Sequence, residues 1–363
     1  MLYDQLDTPC LLIDLAIVEK NLRRIADFAK AHQVALRPHA KTHKIPALAR
    51  RQMDFGAVGI CSAKLSEAEV MLNSGIEDIF IANQIIGSLK LSKLIELSRR
   101  RVRLSSGVDS MEGATALHQA MHQAGLKHDV LIEIDTGLHR CGLTELSDSL
   151  KLASFITTCD SLNLKGIYTH EGHTNSMSDR EQAFERALDA GRNMVVIAEE
   201  IRRNGIPCEI VSVGATSVYH ITPTVQGITE MRPGTYIFND AGMVMLGAAE
   251  WKDCAVSVLC TVISRPAPNR AVIDAGSKTF SADKYPFQKN FGAFKHRPDL
   301  FVNWFNEEHG VVIGAVQDFK IGDKAEIFPN HVCSTMNMHT EAVAIRDGQI
   351  EAIWKIEARG KLK

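Results

Sequence analysis

Val34–Lys44 reads VALRPHAKTHK. A short apolar and β-branched run, Val34-Ala35-Leu36, passes straight into Arg37-Pro38-His39-Ala40-Lys41-Thr42-His43-Lys44, so three cations and two imidazoles crowd the place where a strand ends and a turn begins. Working outward, seven more short apolar runs follow: Gly56–Cys61, Asp78–Ala82, Val102–Val108, Asp129–Asp135, Leu164–Thr169, Glu209–Val213 and Ile228–Arg232. Helical patterns with apolar residues three or four apart separate them, at Ile45–Phe55, Ser66–Ser74, Ser88–Arg99, Ser110–Ala124, Leu146–Thr157 and Asp179–Arg203. Eight alternating strand–helix units predict an α/β chain built on a (β/α)8 TIM-type barrel, with a doubly wound sheet as the competing arrangement.

Beyond about Asn239 the texture changes to short β-rich runs punctuated by Pro, Gly and Asn, which predicts a second, mostly β C-terminal domain. The division read from sequence is a barrel over residues 15–245 and a β-rich domain of 1–14 plus 246–363, with the early strand Cys10–Asp14 joining the second sheet. At 363 residues, 45% hydrophobic and with a formal net charge of −2, the chain has no footprint of a nucleic-acid binder. No apolar run is long enough for a membrane span, and the opening MLYDQLDTPC lacks the order of a secretory signal, so the expectation is a cytoplasmic protein without a membrane partner. Eight scattered cysteines without CxxC pairs fit reduced thiols in a large enzyme.

Barrel enzymes collect their chemistry at the C-terminal ends of the strands. The first strand delivers His39 and Lys41, the second Ser62 and Lys64, the third Asn83 and Gln84. The fifth leads into Asp135–Gly142 with Arg140, and the sixth into Tyr168-Thr169-His170-Glu171-Gly172-His173. A basic loop alone is most often a solvated face. A lysine beside other cations and partly out of water, however, is suited to attack a carbonyl. The seventh and eighth strands enter Gly214-Ala215-Thr216-Ser217 and Pro233-Gly234-Thr235-Tyr236, small-residue turns where barrels bind phosphate. A reactive lysine and a phosphate turn together point to pyridoxal 5′-phosphate, with Arg140 a donor to its ring oxygen. In the second domain, an extended Pro329-Asn330-His331-Val332-Cys333 would place His331 and Cys333 on one side. An imidazole and a thiolate suit zinc among divalent metals, with Mn or Mg as alternatives, and leave positions open for water and substrate.

Together these segments resemble the fold-type III pyridoxal phosphate enzymes of the metal-dependent D-serine dehydratase and D-threonine aldolase family, whose barrel is alanine racemase-like. The resemblance runs from Thr8-Pro9 through RPHAKTHK, GICSAKLSEAE, DTGLHRCG, RPGTYIFND and PNHVC to Ala358-Arg359-Gly360. It implies Lys41 as the cofactor lysine, His331 and Cys333 as metal ligands, and Gly214, Thr216, Gly234 and Tyr236 near the cofactor, in the company of His39, Arg140 and Tyr168. It also implies a homodimer acting on a small D-amino acid. Cys333 and the Tyr168-x-His170-x-Gly172-x-Thr174 pattern resemble the dehydratases, whereas Asn337-Met338-His339 is closer to the aldolases.

The implied reaction is loss of water from a D-3-hydroxy amino acid, D-serine dehydratase-like, giving a 2-oxo acid and ammonia. The alternative is D-threonine aldolase-type cleavage to glycine and an aldehyde, with His170 or His173 taking the hydroxyl proton. A racemase would need a second acid–base and no metal. A non-catalytic cofactor carrier would need neither the β domain nor its HxC.

Overall fold

The alternation of apolar runs and helical patterns becomes eight parallel strands in the computed structural model, which describes residues 6–363. Readings placed on residues 1–5 lie outside the described residues. By internal contact the chain divides into two units. One holds Ile25–Lys41, Pro46–Gly234 and Lys361–Lys363; the other holds the chain up to Arg24 with Thr42–Ile45 and Thr235–Gly360.

The first described strand, β1 (Cys10–Asp14), belongs to the second unit. The barrel unit contains β2 (Ala35–Leu36), β3 (Ile60–Ser62), β4 (Asp78–Gln84), β5 (Arg103–Val108), β6 (His128–Glu133), β7 (Leu162–Tyr168), β8 (Ile210–Val213) and β9 (Glu230–Met231). Their order, β2-β9-β8-β7-β6-β5-β4-β3, is parallel at every pair. The two end strands also meet: Val58 N–H donates to Leu36 O at 2.9 Å, Cys61 N–H to Pro38 O at 2.8 Å, and His39 bridges Cys61. Closure removes the exposed edges that an open sheet would leave. The doubly wound alternative is thereby excluded.

The helices between the strands fall within two residues of their sequence limits, at Pro46–Asp54, Leu65–Asn73, Ser88–Ser98, Met111–Gln123, Leu146–Thr158 and Arg180–Arg203. Local chemistry sets two of the starts. Ser110 accepts the Gly113 N–H, and Asp179 accepts those of Glu181 and Gln182, caps that each contribute about 1 kcal/mol. Inside the barrel, Cys61, Phe80, Leu131 and Tyr168 form a buried cluster, with the Phe80 and Tyr168 rings edge-to-face at 5.0 Å. Gly107 makes room for it, since a Cβ there would stand 2.0 Å from the Tyr168 hydroxyl.

The second unit is built on a sheet ordered β13-β12-β16-β10-β1-β17-β18, with β11, β15 and β14 continuing from β10. These strands are β10 (Val256–Ala267), β11 (Arg270–Ile273), β12 (Phe291–Phe294), β13 (Arg297–Val302), β14 (Trp304–Phe305), β15 (Gly310–Ile313), β16 (Lys324–Phe328), β17 (Glu341–Arg346) and β18 (Gln349–Lys355). β1 lies between β10, antiparallel, and β17, parallel. Val258, Cys260, Val262, Ile273, Phe280, Phe294, Val302 and Ile327 pack into its largest apolar core. No helix among the described residues is long and apolar enough to cross a membrane.

Candidate active site

The crowding of cations in RPHAKTHK is a feature of sequence that folding disperses. Arg37 is held by two carboxylates, donating from Nε to Glu230 at 2.8 Å and from a terminal nitrogen to Asp78 at 2.5 Å. His43 and Lys44 are buried in the second unit, where His43 Nδ1 accepts the Ile45 N–H and Lys44 Nζ reaches Ala358 O at 3.5 Å. Only His39 and Lys41 of the cluster's imidazoles and lysines remain in the barrel unit, on the turn after β2.

Around Lys41 the barrel unit gathers three groups whose charges act on one another. Burial, then the charge of Lys41 and of Arg232, holds His39 well below the usual imidazole range. Burial and Lys41 likewise push His170 down to about 3, while its Nδ1 hydrogen-bonds the Gly214 carbonyl. That ring is therefore a neutral imidazole with its proton on Nδ1, leaving only Nε2 to accept. His173 is also lowered, chiefly by burial, and its Nδ1 is a buried atom without a hydrogen-bond partner in the described protein. Ser62 Oγ at the end of β3 is another. Buried polar atoms left unpaired are costly, and these two, one ending β3 and one on the turn Gly172–Ser176 after β7, are open to a polar ligand.

Arg232 was not singled out in the sequence, yet it occupies the middle of this region. Only 5% exposed, it donates to the Thr169 carbonyl at 2.6 Å and to the Ser212 hydroxyl, and its guanidinium lies 5.2 Å from the Tyr168 ring centre. Its signal was present: a cation at the C-terminal end of an apolar barrel strand. Tyr168 itself is buried inside the barrel and donates to Glu133 at 2.7 Å. Arg140, half exposed, stands 3.6 Å from the other Glu133 oxygen. Gln84 completes the group, donating to Glu133 at 2.5 Å and to Asp109 at 3.0 Å. Ligand atoms of Asp109, Glu133 and Cys141 come within 4.8 Å of one another, Glu133 and Cys141 from one strand-end stretch and Asp109 from the end of the strand before it.

The phosphate turn differs in detail from its sequence reading. Gly214 N–H donates to the buried Glu171 carboxylate at 2.8 Å, and Gly234 N–H to Thr216 Oγ1 at 3.2 Å, so both glycine amides have protein acceptors. Space at Gly214 is tight, since a Cβ there would stand 3.1 Å from the Arg232 Cβ and 3.2 Å from its backbone oxygen. Burial raises the Glu171 carboxyl above its ordinary range, against the Gly214 N–H that stabilises its charge.

These buried imidazoles make stability depend on pH. His128, 2% exposed and 3.0 Å from Ser106 Oγ, is pushed by burial down to about 4. The folded protein therefore keeps His128 and His170 neutral where the unfolded chain, titrating near 6.5, binds protons. The contribution of these two groups is full above about pH 6.5 and falls as the pH drops toward 4, by up to about 1.4 kcal/mol per pH unit for each group. Urea unfolding at pH 5 should give a free energy about 2 kcal/mol lower per buried histidine than at pH 7, and His128→Gln should flatten that slope.

In the second unit, the segment expected to be extended is the start of a helix. His331 is the extended N-cap of Val332–Met338, so Cys333 is the second helical residue. Asp240 sets this start by accepting the Val332 N–H at 2.9 Å. The two side chains nevertheless stand near enough to act on one another electrostatically. Burial works to lower the His331 imidazole, but the neighbouring Cys333, Asp240 and Asp283 raise it to about 9. Cys333 Sγ donates to Thr42 Oγ1 at 3.3 Å and lies 3.6 Å from Thr235 Oγ1. Such a pair, a thiol and an imidazole with hydroxyls around them, is a donor set for a borderline divalent cation. Tyr236 also belongs to this unit and is fully buried. His339, by contrast, bonds the Thr279 carbonyl at 3.0 Å.

Comparison with known proteins covers almost the whole chain. The alanine racemase N-terminal domain profile matches residues 13–241, and a serine dehydratase domain profile matches residues 255–345. D-threonine aldolase of Arthrobacter sp. is 38% identical over 98% of this chain and 93% of its own. The crystal structure of D-threonine aldolase from Filomicrobium marinum superposes with a TM-score of 0.92 at 34% identity, covering 99% of this chain and 97% of that one. D-threo-3-hydroxyaspartate dehydratase from Delftia sp. HT23 gives 0.91 at 32% identity, covering 96% and 97%. Variants of a D-threo-3-hydroxyaspartate dehydratase replace a histidine and, two positions on, a cysteine, the latter in a metal-free form.

Proposed function

From its membership of the family that joins an alanine racemase-type barrel to a D-serine dehydratase domain, to which this chain belongs, we propose a pyridoxal phosphate- and divalent metal-dependent lyase acting on D-3-hydroxy amino acids. The observation that carries the reading is the placing of His331 and Cys333 together at the start of one helix with the Thr42 and Thr235 hydroxyls beside the thiol, two donors of a cation-binding kind. The family membership supports the cofactor. When bound, pyridoxal phosphate supplies an aldehyde for an amine and a ring that accepts electrons from the substrate's α-carbon.

In this reading Lys41 would hold the cofactor by its aldehyde, and its amine is the group placed to move the substrate's α-proton. Gly214, Thr216 and Gly234 shape the phosphate turn, with Tyr236 a further cofactor contact. Arg140, His39 and Tyr168 with its Glu133 partner line the ring. Ser62 Oγ and His173 Nδ1, both unpaired in the protein, receive polar groups of cofactor or substrate. His331 and Cys333 would hold the cation, zinc first by donor chemistry, which would supply a Lewis acid for the substrate's 3-hydroxyl.

Water elimination is the favoured outcome. It asks for a Lewis acid on the leaving hydroxyl, which the His331–Cys333 pair would provide. Cleavage to glycine asks instead for a base on that hydroxyl. His170, pushed to about 3 and with Nδ1 engaged by Gly214, is weakly basic, so that role passes to His173. The aldolase remains a second reading because of the 38% identity to a D-threonine aldolase. A product assay with D-serine, D-threonine and D-3-hydroxyaspartate, with and without chelator, separates them: 2-oxo acid and ammonia are expected, lost on chelation. Glycine without 2-oxo acid would replace elimination by cleavage, and racemised substrate surviving chelation would remove the lyase. The same reading carries a cytoplasmic homodimer, checked by light scattering and fractionation.

A further inference from the structure

We propose that Asp283 is a positioning residue for His331, holding the imidazole by Nδ1 so that Nε2 carries the lone pair offered to a divalent cation. The inference rests on the reading that His331 and Cys333 hold that cation. His331 Nδ1 lies 3.2 Å from Asp283 Oδ2, within one unit and 48 positions apart in sequence. A metal-binding histidine commonly gives its second nitrogen's proton to a carboxylate, which fixes tautomer and ring orientation and makes the ligating nitrogen more basic.

The surroundings leave this task to Asp283. Asp240, the other nearby carboxylate, is already engaged: its two oxygens accept the Met243 N–H at 2.8 Å and the Val332 N–H at 2.9 Å, capping two helix starts. Asp283 is itself held in place, since the same Oδ2 accepts the Ser334 hydroxyl and its own N–H donates to Ser281 Oγ at 3.0 Å. Thr335 Oγ1, on the helix of Cys333, donates to Phe280 O at 2.7 Å, which ties the loop carrying Asp283 to that helix. Tyr285, two residues on, brings its ring centre to 6.3 Å from that of His331. The Asp283 side chain is 55% exposed, so removing it takes little from the core and should leave the fold intact.

The test is metal affinity of the cofactor-loaded full chain, stripped by chelator and titrated with Zn2+ against a chromophoric competitor. Asp283→Ala should weaken Zn2+ binding by about 10- to 100-fold. Asp283→Asn should recover most of that loss, because the amide oxygen still accepts the Nδ1 proton. With saturating Co2+, Asp283→Ala should keep the thiolate-to-metal absorption of the parent, since Cys333 is untouched. Zn2+ affinity within about threefold of the parent in Asp283→Ala would overturn the assignment. Equal losses in Asn and Ala variants would overturn it too, by making the carboxylate a ligand. His331→Ala separates the two levels: retained Zn2+ binding there overturns both readings, whereas its loss alongside a normal Asp283→Ala overturns only this one.

Discussion

Lys41→Ala should yield folded protein that has lost the visible absorbance of bound cofactor and whose turnover falls by at least about 10²–10⁴-fold, the scale of a removed acid–base group. The loss should be larger still if the same amine also anchors the cofactor. A second readout follows from the electrostatics. Lys41 is among the causes holding His39 and His170 low, so its removal should raise the His170 midpoint from about 3 toward the ordinary imidazole range, observable by NMR titration. Burial remains, so the rise should be partial. Persistence of the visible band, with turnover near the parent's, would mean that another amine serves the cofactor.

Cys333→Ala, or exhaustive chelation of the parent, should abolish elimination while leaving the visible cofactor spectrum in place. Loss of a direct ligand should cost more than the roughly 10- to 100-fold in metal affinity that follows from losing an outer partner. The substitution removes one small, partly buried side chain that meets Thr42 and Thr235 through weak sulfur contacts, so a large stability loss is not expected. Metal content by elemental analysis and activity should fall together. Activity that survives both chelation and Cys333→Ala would remove the cation from the reaction, and with it the preference for a hydroxide leaving group.

How far each feature could be read in advance depends on the range of the physics behind it. The βα rhythm was legible because strand and helix periods are local, written in residues two to four apart, and the strands from Asp78–Gln84 to Ile210–Val213 start within two residues of their expected positions. The strand-end positions of Lys41, His170 and Gly214 were legible for the same reason. By itself, then, the sequence determined the barrel, the β-rich tail and which residue types stand at the strand ends.

Tertiary structure alone decided which neighbours those residues have. It sent Arg37 to Glu230 and Asp78, put Arg232 against Tyr168, turned the Gly214 amide to Glu171, made a helix start of the supposed extended His331–Cys333 segment, and brought Asp283 to His331 from 48 residues away. Pairings of charge and hydrogen bond are chosen through space among groups that folding has gathered from distant segments and partly removed from water. No local periodicity in the chain encodes that choice.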